Sequence, residues 1–143
     1  MSFYDLPQDV EEMALAADIQ KKTGVPFLPY VVNCSAMLRN QIAHDMIVGN
    51  TVTCPGFYAP QGREIRIPIR FPNLMEDLNY YHKGNFWLTN MEMETSGYYA
   101  LGRLYGHEVL SVNAIVANRI KGKVSKNPNK IMESLIEKVL ERV

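Results

Sequence analysis

Between Gly106 and Arg119 the chain carries VLSVNAIVA, Val109 to Ala117, a nearly continuous apolar run. It is far shorter than the roughly 20 residues a membrane-spanning helix needs, and it reads as a strand. A strand that is apolar at consecutive positions has no polar face to turn to water, so both of its faces must be covered. That requirement calls for a sheet sandwiched by helices.

The rest of the chain offers the matching pieces. Asp9 followed by Glu12 reads as a helix start. Val10, Met13, Ala14 and Ala17 fall at helical spacing behind it, and Gly24 suits the stop. Phe27 to Val32 reads as a strand bent or kept at an edge by Pro29, Ala36 to His44 as a short helix, and Met46 to Thr53 as a strand. Cys54 to Arg63, with Pro55, Gly56, Pro60 and Gly62, is a loop. Ile65, Ile67 and Ile69 alternate as in a strand. Leu74, Met75, Leu78 and Tyr81 form a helical stripe, and Phe86 to Leu88 begins another strand. Glu94 to Tyr105 reads as a helix with Tyr98, Leu101, Leu104 and Tyr105 on one face, stopped by Gly106. Asn127 and Pro128 open a last helix striped by Met132, Leu135, Ile136, Val139, Leu140 and Val143. The predicted fold class is α/β: one domain, 1–143, with a layered mixed sheet flanked by helices.

Charge narrows the partners. Fifteen Lys plus Arg balance fifteen Asp plus Glu, whereas nucleic-acid modules carry a basic excess, so no nucleic-acid partner is expected. No apolar run is long enough to span a membrane, and MSFYDLPQDVEE lacks the basic and apolar regions of a secretion signal. A cytoplasmic protein without a membrane partner is the expectation. Cys34 and Cys54 show no CxxC spacing and read as reduced core or loop residues. His44, His82 and His107 read as surface residues. His107-Glu108 is no zinc motif because position 111 is Ser, and no metal site is expected.

Two clusters carry chemistry. FYAPQGR, Phe57 to Arg63, offers a stacking ring, a carboxamide with donor and acceptor, and a guanidinium fork on a Gly- and Pro-shaped backbone. That set suits a planar heterocycle such as a pyrimidine. The alternative is that Gln61 and Arg63 are solvated and Phe57 plugs the core. NMEMET, Asn90 to Thr95, places Glu92 and Glu94 around Met93 where a strand gives way to a helix, the usual place for ligand groups in α/β sheets. A carboxylate accepting two hydrogen bonds suits a vicinal diol such as that of ribose. The alternative is helix-capping glutamates with Met93 as core filler. Asn118 and Arg119 follow the apolar run and either line a site or bond to local backbone, the second being the favoured reading.

Together GFYAPQGR and the later NMEMETSGYYALGRLYGHEVLSVNAIVANR resemble the C-terminal half of a uridine phosphorylase, in the nucleoside phosphorylase family I, over about Phe3 to Val143. The resemblance implies a partial, C-terminal version of the phosphorylase/hydrolase-like fold. It implies a transferase that splits uridine with phosphate into uracil and ribose 1-phosphate, with phosphate as co-substrate and no metal or organic cofactor. It places Gln61 and Arg63 on the uracil edge, Phe57 against base and ribose, and Met93 under the sugar. Glu94 would hold the ribose hydroxyls and Glu92 would complete the pocket, so that Arg63 and Glu94 carry the catalytic roles. Purine-specific members use a late aspartate near the position of Ala117, and this chain has no Asp after Asp77, which favours a pyrimidine. The N-terminal half that holds phosphate in the family has no counterpart here. The implied partners are therefore a nucleoside or nucleobase, and either a homo-oligomer or the missing half. The alternative function is a non-catalytic nucleoside-binding or self-associating fragment.

Overall fold

In the computed structural model, residues 5–143 are described; Met1 to Tyr4, where the resemblance begins, lie outside the described residues. Helix α1 (Val10–Thr23) starts on a capping box in which the Asp9 side chain accepts from the Glu12 amide and Glu12 from the Asp9 amide, and Gly24 ends it. Helix α2 (Ala36–Ile42) and strand β1 (Asn50–Thr53) follow. A loop with a 3₁₀ turn at Ala59–Gln61 leads to helix α3 (Leu74–Asn79). Next come strands β2 (His82–Lys83) and β3 (Phe86–Glu92) and helix α4 (Thr95–Tyr105). Strands β4 (Ala117–Asn118) and β5 (Lys123–Val124) form a hairpin before helix α5 (Pro128–Leu140).

The fold is mixed α/β. β1 and β3 pair in parallel with Thr53 opposite Glu92, and β2 joins the other edge of β3 antiparallel, giving the order β1-β3-β2. α1 packs on α3, α3 on β3, and α4 on β1. Ala16, Cys54, Leu78, Tyr81 and Ala100 are among the buried apolar residues. The Tyr81 hydroxyl donates to Asp18 at 2.6 Å and ties α3's end to α1.

The expected central strand does not form. Val109 to Val116 is irregular, and only Ala117 and Asn118 pair, with the hairpin partner. Its polar backbone groups find scattered acceptors and donors instead: Ser35 N–H donates to the Val109 carbonyl, Ser125 N–H to that of Val116, and the Ser111 amide to the Tyr99 hydroxyl. An apolar run states a need for burial, whereas a strand also needs a neighbour to share its ladder. Phe27 to Val32 and Ile65 to Ile69 likewise lack strand pairing.

The helices sit where expected, but α1 and α4 turn the other way. Val10, Met13, Tyr98, Leu101 and Tyr105 face solvent, at 76%, 47%, 66%, 48% and 73% exposure. The inward faces carry Glu12, Ala16 and Thr23 on α1 and Ala100 and Gly102 on α4. The cause is a polar lock. Arg103 Nη1 and Nη2 donate to Glu12 Oε2 and Oε1 at 2.6 and 2.8 Å, while Asn33 N donates to Oε1 at 2.8 Å. Glu12 is 1% exposed, and a buried carboxylate must stay with its partners, so both helices rotate to satisfy it. Gly102 completes the fit, because a Cβ there would run into Val109 Cγ2. No residue of α5 is buried; its end is pinned by Lys138 and Arg142 on Asp45 at 2.8 and 2.7 Å.

Candidate functional site

The parallel pairing of β1 with β3 sets their carboxyl ends side by side, so the segments that leave them, 54–63 and 93–95, start from one sheet edge. Ladder bonds continue past the strands, with Cys54 N–H donating to the Glu92 carbonyl at 2.8 Å. Side chains reinforce the register: Thr51 donates to Asn90 Oδ1, and Thr53 Oγ1 donates to Glu92 Oε1 at 2.5 Å.

The 57–63 loop is closed on itself. Arg63 N–H and Gln61 N–H both donate to the Tyr58 carbonyl, and Gly62, at φ 69°, makes the left-handed turn that brings them round. Arg63 Nη1 donates to the Phe57 carbonyl and to Gln61 Oε1, both at 2.5 Å, and its guanidinium lies 3.8 Å over the Phe57 ring centre. Gln61 is 6% exposed while Phe57 is 51% exposed. Gln61 is therefore no solvated residue and Phe57 no core plug. The Phe57 ring carries Arg63 over it and packs edge-to-face with Tyr58, their ring centres 5.4 Å apart. Gln61 Oε1 is thus taken up by Arg63.

Arg119 arrives at the same place from beyond the apolar run. Its Nη1 donates to the Gln61 carbonyl at 2.5 Å and lies 3.6 and 3.7 Å from the sulfurs of Met75 and Met91. Asn118 does stay local, accepting from the Lys121 amide. The favoured local role is thus right for Asn118 and wrong for Arg119, which bridges the loop to β3. Burial and the nearby Arg63 both pull the Arg119 guanidinium down from its usual range. Burial, with Glu92 beside it, pushes the Cys54 thiol up, so Cys54 is a neutral buried thiol.

The two glutamates differ. Glu92 Oε2 accepts the Glu94 and Thr95 amides at 2.6 Å each, two donors at the start of α4 that have no partner inside the helix. Burial pushes the Glu92 carboxyl up, but the Thr53 hydroxyl and these amides outweigh it and hold it below the usual range. Glu92 is therefore a helix cap, its capacity largely used. Glu94 is exposed, and its carboxylate accepts one long bond, 3.2 Å, from the Met93 amide. Met93 is 42% exposed and fills no core.

Concavities of about 550 and 320 Å³ lie one beside Ser125, Asn127 and Lys130, the other beside Asn33, Tyr99 and His107. Among the described residues no group of three His, Cys, Asp or Glu side chains is placed to hold a metal ion, and no helix is long and apolar enough to cross a membrane. His44, His82 and His107 are all exposed. Arg119 was accessible to sequence reasoning only as a polar residue ending an apolar run. Compared with family models, with curated proteins and with solved structures, the chain finds no match, and the reading of the site rests on its own geometry.

Proposed function

We propose that this chain is the base- and ribose-recognising half of a uridine phosphorylase-like enzyme, a pentosyltransferase of cytoplasmic nucleoside salvage built on a partial phosphorylase-like fold. What supports the proposal is that the segment carrying Gln61 and Arg63, to which Arg119 bonds, and the segment carrying Glu94 leave the carboxyl ends of one parallel strand pair. In phosphorolysis the N-glycosidic bond breaks, its electron pair leaves with uracil, and phosphate bonds to C1′ of the sugar. Arg63, held by Gln61 and Phe57, is a fixed positive charge facing the developing uracil anion, and such preorganised stabilisation is worth most when it need not rearrange. Glu94, with unspent acceptor capacity, takes the ribose hydroxyls and orients the sugar.

Phosphate has to be held by other groups. Arg103 is engaged with Glu12 and Arg142 with Asp45. A complementary half or a further copy of the chain would supply the phosphate donors. It would also cover the apolar side chains that α1 and α4 expose, Val10 and Met13 on one and Tyr98, Leu101 and Tyr105 on the other.

The experiment is calorimetric titration with uracil, uridine and adenosine, paired with an assay of uracil formation from uridine with and without phosphate. Uracil and uridine are expected to bind, adenosine not to bind, and the isolated chain not to turn over, since an unpositioned nucleophile forfeits about 7 to 11 kcal/mol of the barrier reduction. Adenosine binding as tight as uridine binding would overturn the proposal. The second reading, nucleoside binding without catalysis, is favoured by the engagement of Arg103 and Arg142. It predicts that supplementation with a phosphate-binding half leaves turnover absent.

A further inference from the structure

We propose that Thr53 is a positioning residue that locks the base-recognition loop and the ribose carboxylate into one register; what it positions rests on the nucleoside reading above. Its hydroxyl is used twice. The proton goes to Glu92 Oε1 at 2.5 Å, and the oxygen accepts the Ser96 amide at 2.9 Å. Thr53 is the last residue of β1, so Cys54 and the 57–63 loop are covalently continuous with it. On the other side, Glu92 holds the Glu94 and Thr95 amides. One oxygen therefore stands between the strand that launches the base loop and the three helix-start amides that carry Glu94.

The arrangement also explains the residue type. Valine has the same shape and neither donor nor acceptor. Serine retains both and lacks only the methyl group. Glu92 is anionic, so the bond from Thr53 is charge-assisted and stronger than one between neutral groups. The amides of Glu94, Thr95 and Ser96 lie ahead of Gly97, the first amide of the segment to find a backbone acceptor, the Glu94 carbonyl, which makes their protection a direct report on the clasp.

The test compares wild type, Thr53→Val and Thr53→Ser in the full chain by amide hydrogen exchange and by uridine and uracil titration. Thr53→Val should speed exchange at Glu94, Thr95 and Ser96 by about tenfold or more. It should also speed exchange at the Gln61 amide and bring the uridine-to-uracil affinity ratio toward unity. Thr53→Ser should restore both readouts. Wild-type exchange in the valine variant, failure of serine to rescue, or an unchanged affinity ratio despite faster exchange would each overturn the proposal. If wild type binds neither uracil nor uridine, the nucleoside reading fails and exchange alone decides. In that case faster exchange at both Glu94–Ser96 and Gln61 keeps the coupling, and a change confined to Glu94–Ser96 overturns it. Should the valine variant not fold, Glu92→Gln addresses the other side of the clasp and must speed exchange at the same amides; unchanged exchange overturns the proposal.

Discussion

Two carboxylates near opposite ends of α4 receive opposite treatment. Glu12, held against the C-terminal turn by Arg103, accepts from Arg103, Asn33 and Asp9 and is 1% exposed. Glu94, just ahead of the N-terminus, is exposed and accepts one long bond from Met93. Buried polar groups in folded proteins are satisfied, so a fully occupied carboxylate belongs to the fold, while one with spare acceptors at a sheet edge is available to a ligand. Glu92 stands between them, near the site yet employed as a cap.

The contrast breaks most directly at Glu12. Glu12→Ala strands Arg103 and unpairs the Asn33 and Asp9 amides, so chemical denaturation should show a loss of about 3 to 5 kcal/mol, whereas Glu94→Ala should change stability by less than about 0.5 kcal/mol. Comparable losses at both positions would erase the distinction.

Acid sharpens it. The Glu12 carboxyl, pushed up by burial but pulled down further by Arg103 and the Asp9 and Asn33 amides, titrates at about 2 in the folded chain against 4.5 without these contacts. A folded-state value below the unfolded one gives stability that is present above the unfolded value and lost as pH falls toward the folded one. Denaturation midpoints should therefore drop between about pH 5 and pH 2, with about 3 kcal/mol traceable to this group. Glu92, also depressed, acts in the same direction. Asp45, held low by Arg142 and Lys138, adds to it, and Glu12→Gln should make the slope shallower; a profile as steep as wild type would assign acid sensitivity elsewhere.

At the other end the effects are on binding. Arg119→Ala removes the charged donor to the Gln61 carbonyl, and uracil affinity should fall about tenfold. The smallest effect is one of discrimination. Glu94→Ala should weaken uridine by about tenfold, 2′-deoxyuridine by less, and uracil by almost nothing, because only the riboside offers both hydroxyls. Titration of the three ligands reads this directly, and equal losses on all three would make Glu94 structural.

What the sequence discloses follows the range of the interactions involved. The Asp9–Glu12 box, the Gly24 and Gly106 stops and the Phe57–Arg63 loop depend on neighbours within a few residues, and each is legible. Glu12 was readable as a cap but not as the partner of Arg103, because that pairing joins positions far apart in the chain. The same pairing defeats the apolar pattern on α1 and α4, whose stripes predict the wrong inward face. Val109 to Val116 shows the other limit, since hydropathy reports a preference for burial and is silent on which strand supplies the ladder. At the site, Gln61, Arg63 and Glu94 could be named from residue chemistry. Arg119's reach to Gln61 and Thr53's to Glu92 needed the register of β1 on β3.

The central claim is that a uracil nucleoside binds where β1 and β3 end, and mapping amide and side-chain resonances during a uridine titration tests it most directly. The account predicts saturable shifts at Gln61, Arg63, Glu94 and Arg119, with uracil reproducing those at Gln61, Arg63 and Arg119 but not at Glu94. Shifts confined to other surfaces, such as the concavity beside Asn33 and His107, or none at these four residues under saturating uridine, would contradict it.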